Sequence, residues 1–169
     1  MIRTLLIACI LLLSACASQA PLPDAMPRLK LPMQLHVQRQ QAGQRQDWLL
    51  VIQQESSGLR WSLMDPLGIP LARQLLINGQ WQADGLLPPN AEARELFAAL
   101  LFALTPDTEL RDAYPTARRQ GLQRSLGVRW GVEYRTADVF TLGLRAEAKT
   151  RPEDKLIFRI SPLNNEAAP

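Results

Sequence analysis

Residues Leu59 to Ile77, LRWSLMDPLGIPLARQLLI, decide the fold, because they join two apolar strand patterns through a turn that is itself apolar. In Asp65-Pro66-Leu67-Gly68, Asp accepts a local backbone bond at the first corner, Pro presets φ at the second and Gly suits the fourth, which is the pattern of a type I turn. Leu67 is out of place there. A turn tip is wet, and a Leu left in water forgoes roughly 1.5 to 3 kcal/mol of burial. Two covers are open to it: the domain's own core, or a membrane or lipid. Before the turn, Leu59, Trp61 and Leu63 face inward opposite Arg60 and Ser62. After it, Ile69, Leu71, Leu75 and Ile77 are expected inward, with Arg73 interrupting, so that the strand either shifts register or sends the guanidinium to a rim.

Upstream, Met33, Leu35 and Val37 alternate with Gln34, His36 and Gln38 in a strand over Met33 to Gln40, half wet. His36 therefore points outward. It is the single His of the chain, with no Cys or carboxylate cluster beside it in sequence, so a solvent-facing position is expected rather than a metal ligand or a base. Trp48 to Ile52 (WLLVI) is apolar on both faces and suits a central strand. Ala42-Gly43 and Ser56-Ser57-Gly58 mark turns, and Asn78-Gly79 is a strong hairpin signal returning into Gln80-Trp81-Gln82. The expected result is an antiparallel meander.

Downstream the period changes. Asn90 is a good N-cap, followed by Glu92 and Glu95 near the positive end of a helix running through Leu104. Leu96, Phe97, Leu100, Leu101 and Leu104 form one broad stripe, with Phe102 on the opposite side. Such a helix needs cover on more than one side, as inside the concave face of a curved sheet; lying on a membrane suits it less, because its polar face lacks Lys and Arg. Thr105-Pro106 begins a second short helix that ends before Tyr114-Pro115. Strands resume with Val128, Trp130, Val132 and Tyr134 inward, then Val139 to Leu144 and Lys155 to Ile160, giving about eight in all. Gly131 and Gly143 suit bends or bulges.

The chain has 169 residues, room for one domain and a core. Hydrophobic residues at 47% and charged residues at 21% fit a globular composition. The formal charge is only +3, too mild to imply nucleic acid. Arg118, Arg119 and Arg124 are the one loose basic cluster, expected in a solvated loop, with contact to anionic headgroups as the minor alternative.

The N-terminus carries the most specific signal. Arg3 is a positive n-region, and LLIACILLL from Leu5 to Leu13 is an apolar h-region too short for the roughly 20 residues of a membrane span. It ends in Leu13-Ser14-Ala15-Cys16, which resembles the lipobox of bacterial lipoproteins and implies diacylglyceryl and acyl groups, palmitate among them, on Cys16. Residues 1–15 would then be a signal peptide, and Cys9 would be discarded with it, leaving no intramolecular disulfide. Two or more acyl chains anchor stably where one does not. Ala17 stands where the inner-membrane retention signal would put Asp, so the sorting rule implies the outer membrane, periplasmic face. Ala17 to Pro32, with Pro21, Pro23, Pro27 and Pro32, is expected to be a tether reaching roughly 50 Å at about 3.1 Å per residue. The expected layout is thus 16–32 lipidated Cys and tether, 33–160 folded domain, and 161–169 flexible tail.

The catalytic signatures are missing. No glycine-rich phosphate loop, HExxH, paired-Cys spacing or Gly-x-Ser-x-Gly elbow occurs. One outward His and no Cys beyond the lipid site disfavour Ser-His or Cys-His chemistry. Glu92/Glu95 and Glu153/Asp154 suit helix-end and loop charges, with a carboxylate-only hydrolase as the residual enzyme class. The expectation is a non-enzyme with no metal and no cofactor.

A tethered lipoprotein with a strand meander, a Pro-Leu-Gly turn, an apolar helix and further strands resembles the LolA/LolB lipoprotein-carrier superfamily, and more closely the LolB-like lipoproteins associated with aryl-polyene biosynthesis. The resemblance covers roughly residues 33 to 160, on WSLMDPLGIPLARQLLI and LLPPNAEARELFAALLFALTPDTEL. It implies an α+β fold: a strongly curved, incomplete antiparallel β-barrel wrapped around a helical plug, with an apolar cavity between. It also implies that Leu67 projects and assists lipid delivery to the membrane. Ile69-Pro70 replaces the small polar residue usual after the Gly in LolB, and the strands are fewer, which bears on the cargo more than on the architecture. The expected partners are the membrane, a hydrophobic acyl or polyene lipid or an acylated lipoprotein as cargo, and a periplasmic carrier protein as donor. By face and size, Trp61, Leu63, Phe97, Leu101, Phe102 and Trp130 are the candidate cavity residues, with core packing as the alternative for each. The alternative function is a structural or adaptor lipoprotein that recruits a protein partner through a sheet edge or the Leu67 turn.

Overall fold

The computed structural model describes residues 19–88, 90–144 and 155–163. Cys16 and the leader before it lie outside the described residues. Five strands come first: β1 (Met33–Gln41), β2 (Gln44–Gln54), β3 (Leu59–Met64), β4 (Pro70–Ile77) and β5 (Gln80–Ala83). Two helices follow, α1 (Ala91–Leu104) and α2 (Leu110–Ala113). The chain closes with β6 (Ala117–Gln120), β7 (Gln123–Leu126), β8 (Trp130–Tyr134), β9 (Phe140–Leu144) and β10 (Ile157–Pro162). All lie in one 10-stranded sheet ordered β5-β4-β3-β2-β1-β10-β9-β8-β7-β6. Every neighbouring pair is antiparallel. The two ends of that order, β5 and β6, do not pair, so the curved sheet is not closed into a barrel.

The helix sits where its composition requires. Asn90 caps it, accepting from the Ala93 N–H at 3.0 Å. Leu96 to Ala103 are buried without a break, which one flat sheet face cannot do for a helix presenting side chains every 100°. The sheet must bend round it. Phe102, on the far side of the stripe, is covered in this way along with the rest.

The first meander forms as its turn residues require. Ala42-Gly43 and Asn78-Gly79 both take positive φ, 48° and 75° in the first pair and 49° and 70° in the second, the backbone that primed hairpin turns need. At the β2–β3 turn, a Cβ on Gly58 would stand 2.2 Å from the Leu76 carbonyl oxygen, so only glycine lets the chain pass there.

Four expectations need correction. In β4 the buried residues are Ala72, Gln74 and Leu76, so Leu71, Leu75 and Ile77 lie on the other face and Ile69 is exposed. The ladder shifts between Leu63 and Met64, and a shift of one residue exchanges the faces of a strand. It places Arg73 outward, where with Arg60 it binds Asp84 at 3.0 and 2.9 Å. Secondly, there are ten strands rather than eight, because the polar stretches ARRQ and QRSL pair as β6 and β7. Thirdly, Val128 is not inward: it is 73% exposed beside the Gly127 turn, and β8 starts at Trp130.

The last correction concerns the tether. Its described part lies on the domain. Pro27 is buried, Leu22, Leu29 and Leu31 pack against the core, and the Asp24 N–H donates to the Ala113 carbonyl at 2.8 Å. Leucines set between prolines give an extended segment with apolar side chains to bury, and the end of the trough where α1 finishes offers the surface.

Candidate functional site

Antiparallel pairing sends the turns to two ends of the sheet. Ala42-Gly43, the Leu67 turn, Gly127 and the start of α1 share one, here called the tip. The β2–β3 turn, Asn78-Gly79, Gly121-Leu122, residues 135–139, the end of α1 and the N-terminal strap share the other, the mouth.

At the tip Leu67 is 85% exposed and Ile69 56%. The turn is braced. One Asp65 carboxylate oxygen accepts from the Leu67 N–H at 2.9 Å and the Ile69 N–H at 2.8 Å, and the Gly68 N–H donates to the Asp65 carbonyl at 3.0 Å. A bare leucine is therefore held out in water by a fixed backbone. The domain's own core does not cover it.

The six interior candidates are brought together as packing. Trp61, Leu63, Phe97, Leu101, Phe102 and Trp130 are all fully or almost fully buried. Trp61 meets Phe97 at 5.5 Å between ring centroids and Trp81 at 5.6 Å, nearly edge-on in the second case. Phe102 meets Trp130 at 5.7 Å and Tyr114 at 5.0 Å on the other flank of α1. Of the six, Leu63 also borders an open cleft of about 360 Å³ by the start of α1, with Trp48, Leu71 and Ala93. The hollow of the trough is occupied by α1.

The basic cluster was expected in a solvated loop, and Arg124 is instead a centrepiece of the mouth. It is 4% exposed. Its guanidinium donates to the carbonyls of Phe102 and Thr105, each at 2.8 Å, to that of Ala103 at 3.3 Å, and to Asp107 at 2.6 Å. Those are carbonyls that the end of a helix leaves without partners, at its negative pole. The guanidinium is flanked by the Phe102 and Tyr134 rings at 5.7 and 5.3 Å. Tyr134 donates its hydroxyl to the Ala103 carbonyl at 2.6 Å, and burial pushes the Tyr134 and Tyr114 hydroxyls up, so both stay neutral. In sequence Arg124 is hidden, because only inward alternation with Leu126 marks it.

Beside Arg124 lies a cleft of about 390 Å³ between the strap, the end of α1 and the β6–β7 and β8–β9 turns. Leu29, Met33, Leu104, Leu122 and Tyr134 make its apolar lining, and Arg28, Lys30, Arg119, Asp107 and Asp138 its charged one. Asp107 is already shared between Arg124 and Arg119.

At the opposite pole Glu95 holds α1 to β8. Its carboxylate accepts from Arg129 twice at 2.7 Å and from the Trp130 indole at 2.7 Å. Burial pushes the carboxyl up, but the bonds from Arg129 and Trp130 and the Arg129 charge outweigh it and leave the pKa below the ordinary 4.5. A lowered folded pKa stabilises fully above the unfolded value and loses that effect as pH falls through the folded one. Urea midpoints measured between about pH 6 and pH 3 should fall less steeply for Glu95→Gln than for the parent, although the variant starts lower; equal acid slopes would show that the carboxylate is not coupled to folding.

His36, on the outward face, has Nε2 2.9 Å from an Asp47 carboxylate oxygen. Among the described residues no group of three His, Cys, Asp or Glu side chains is placed to hold a metal ion, and no helix is long and apolar enough to cross a membrane. No protein-family model, curated protein or solved structure matches the chain.

Proposed function

We propose that the chain is a non-enzymatic lipoprotein, anchored through Cys16 to the periplasmic face of the outer membrane, that binds a hydrophobic acyl or polyene lipid and delivers it to the bilayer through Leu67. The observation that carries this reading is Leu67 itself, 85% exposed on a turn that Asp65 makes rigid. A flexible loop would withdraw such a side chain; a braced one keeps it available to lipid. An open curved sheet around an apolar helix supports the likeness to LolB-like carriers.

Energetics limits where cargo sits. Uncovering Leu96, Phe97, Leu100, Leu101 and Phe102 at about 1.5 to 3 kcal/mol each would consume a stability of order 5 to 15 kcal/mol. Cargo that replaced α1 would therefore unfold the domain, so it must use the clefts at the ends. The strap also leaves the domain at the mouth, away from Leu67. Its polar attachments are few: the Asp24 bond, and Glu109, which accepts from the Arg28 backbone N–H and from its side chain, each at 2.9 Å. Released, it regains a leash of roughly 50 Å, longer than the roughly 35 Å of the longest strand, so the domain can turn its tip to the bilayer.

The filled interior favours a second reading, an adaptor that recruits a protein partner through the Leu67 turn. Lipid transfer between vesicles separates the two. Leu67→Glu is expected to slow transfer about 10-fold to 100-fold, the equivalent of one lost leucine burial, with the melting temperature unchanged because the residue is exposed. Transfer equal to the parent's would remove the carrier role from the turn.

A further inference from the structure

We propose that the mouth cleft is a binding site for a single-chain anionic amphiphile, with the tail against Leu29, Met33 and Leu122 and the head at Lys30 and Arg119. It deepens the lipid-handling reading by naming a ligand class, and rests on that reading for the choice of a lipid.

Three observations converge. The cleft, about 390 Å³, falls within the roughly 300 to 1,000 Å³ of small-molecule sites. Its surface has two chemistries, as an amphiphile does. Leu122, 60% exposed at its rim, is apolar surface that a tail would cover. Cations also outnumber carboxylates in the cleft, Arg28, Lys30, Arg119 and Arg124 against Asp107 and Asp138. Asp107 is matched by both Arg119 and Arg124, and Lys30 makes no ion pair among the described residues. An anionic head would meet a surplus of cations.

Arg124 supplies the independent sign of a ligand. It lines the cleft, it is almost wholly buried, and its Nε has no hydrogen-bond partner. A buried N–H on a cation is costly to leave unpaired. Its other nitrogens are engaged on the helix end, so Nε is the donor that a ligand oxygen would pair once the side chains covering it open toward the cleft.

The head can be a carboxylate or a phosphate monoester, so the test carries both. The full chain, reconstituted in phosphatidylcholine nanodiscs, is photolysed with diazirine-tagged palmitate and the labelled peptides are mapped by mass spectrometry. Labelling is expected within residues 28–33 and 119–138. Unlabelled palmitate or lysophosphatidate should reduce it at least about tenfold, the stronger competitor identifying the head, whereas monopalmitoylglycerol at the same concentration should not. The double variant Lys30→Glu, Arg119→Glu should lose about tenfold, since hydrogen bonds to charged groups are worth about that. Both residues are surface-exposed, and the Arg119–Asp107 pair that is lost is a surface one worth about 0 to 1 kcal/mol, so the melting temperature should fall by no more than a few degrees. Leu67→Glu, at the other end, should label like the parent, which separates failure of this site from failure of the delivery role. Labelling that is scattered, indifferent to the double variant, matched by the neutral glyceride or abolished by inorganic phosphate alone would overturn the proposal.

Discussion

Replacing Arg124 by Ala is expected to destabilise the domain by about 3 to 5 kcal/mol, the cost of removing one partner from a buried charged network. For a chain of this size that is a fall of roughly 10 to 15 °C in melting temperature. The reason is local: the guanidinium closes the carbonyls of Phe102, Ala103 and Thr105, while the Tyr134 and Thr105 hydroxyls at that helix end go to Ala103 and Leu101 and leave the Phe102 and Thr105 carbonyls to Arg124. Burial lowers the Arg124 pKa, yet a guanidinium keeps its proton at neutral pH, so Asp107 and the helix pole would lose a full cation. Arg124→Lys should rescue little, because a single ammonium cannot fork across several acceptors and a carboxylate. The exposed neighbour Arg118, changed to Ala, should stay within about 0.5 kcal/mol of the parent. Thermal and urea unfolding of the three variants checks this; a shift of only a few degrees for Arg124→Ala would show that water or a rearranged turn closes the helix end.

Phe97→Ala is expected to cost about 3 to 5 kcal/mol as well, and its size decides what the interior is. Phe97 is fully buried, with Trp61 at 5.5 Å and Trp81 at 5.9 Å. In a close-packed core the truncation leaves a cavity the neighbours cannot fill, and the cavity adds to the lost transfer energy. Lining a vacant hollow, the same ring would forfeit only its transfer energy. Chemical denaturation followed by tryptophan emission reads this out, since both indoles are in contact with the ring. A cost near 1 kcal/mol would reopen the trough as the cargo space.

Much of the architecture was legible because it rested on local chemistry. Turn residues at Ala42-Gly43, Asp65 to Gly68 and Asn78-Gly79 fixed the meander, and an N-cap with an almost wholly apolar helix demanded a wrapping sheet. The exposure of Leu67 was legible as an alternative, and at 85% exposed it is not covered by the domain's own core. The facing of β4 was not. Two of its three leucines, Leu71 and Leu75, occupy the outward register with Arg73, which pairs there with Asp84. β6 and β7 were hidden for a related reason: a strand whose inward positions are Arg and Leu at a helix end has no apolar alternation to read. Arg124 looked like surface because its partners are carbonyls some twenty residues away. The strap looked like a tether because prolines signal extension, and extension says nothing about what the intervening leucines touch.

The proposed delivery role requires residue 67 to enter lipid. The most direct measurement places an environment-sensitive fluorophore there, on Leu67→Cys in a chain whose own two cysteines are replaced, and adds vesicles of phosphatidylethanolamine and phosphatidylglycerol. Entry into the bilayer gives a blue shift and a rise in emission that membrane-depth quenchers reverse. A probe that stays water-like at saturating lipid, while the protein remains folded, would contradict it.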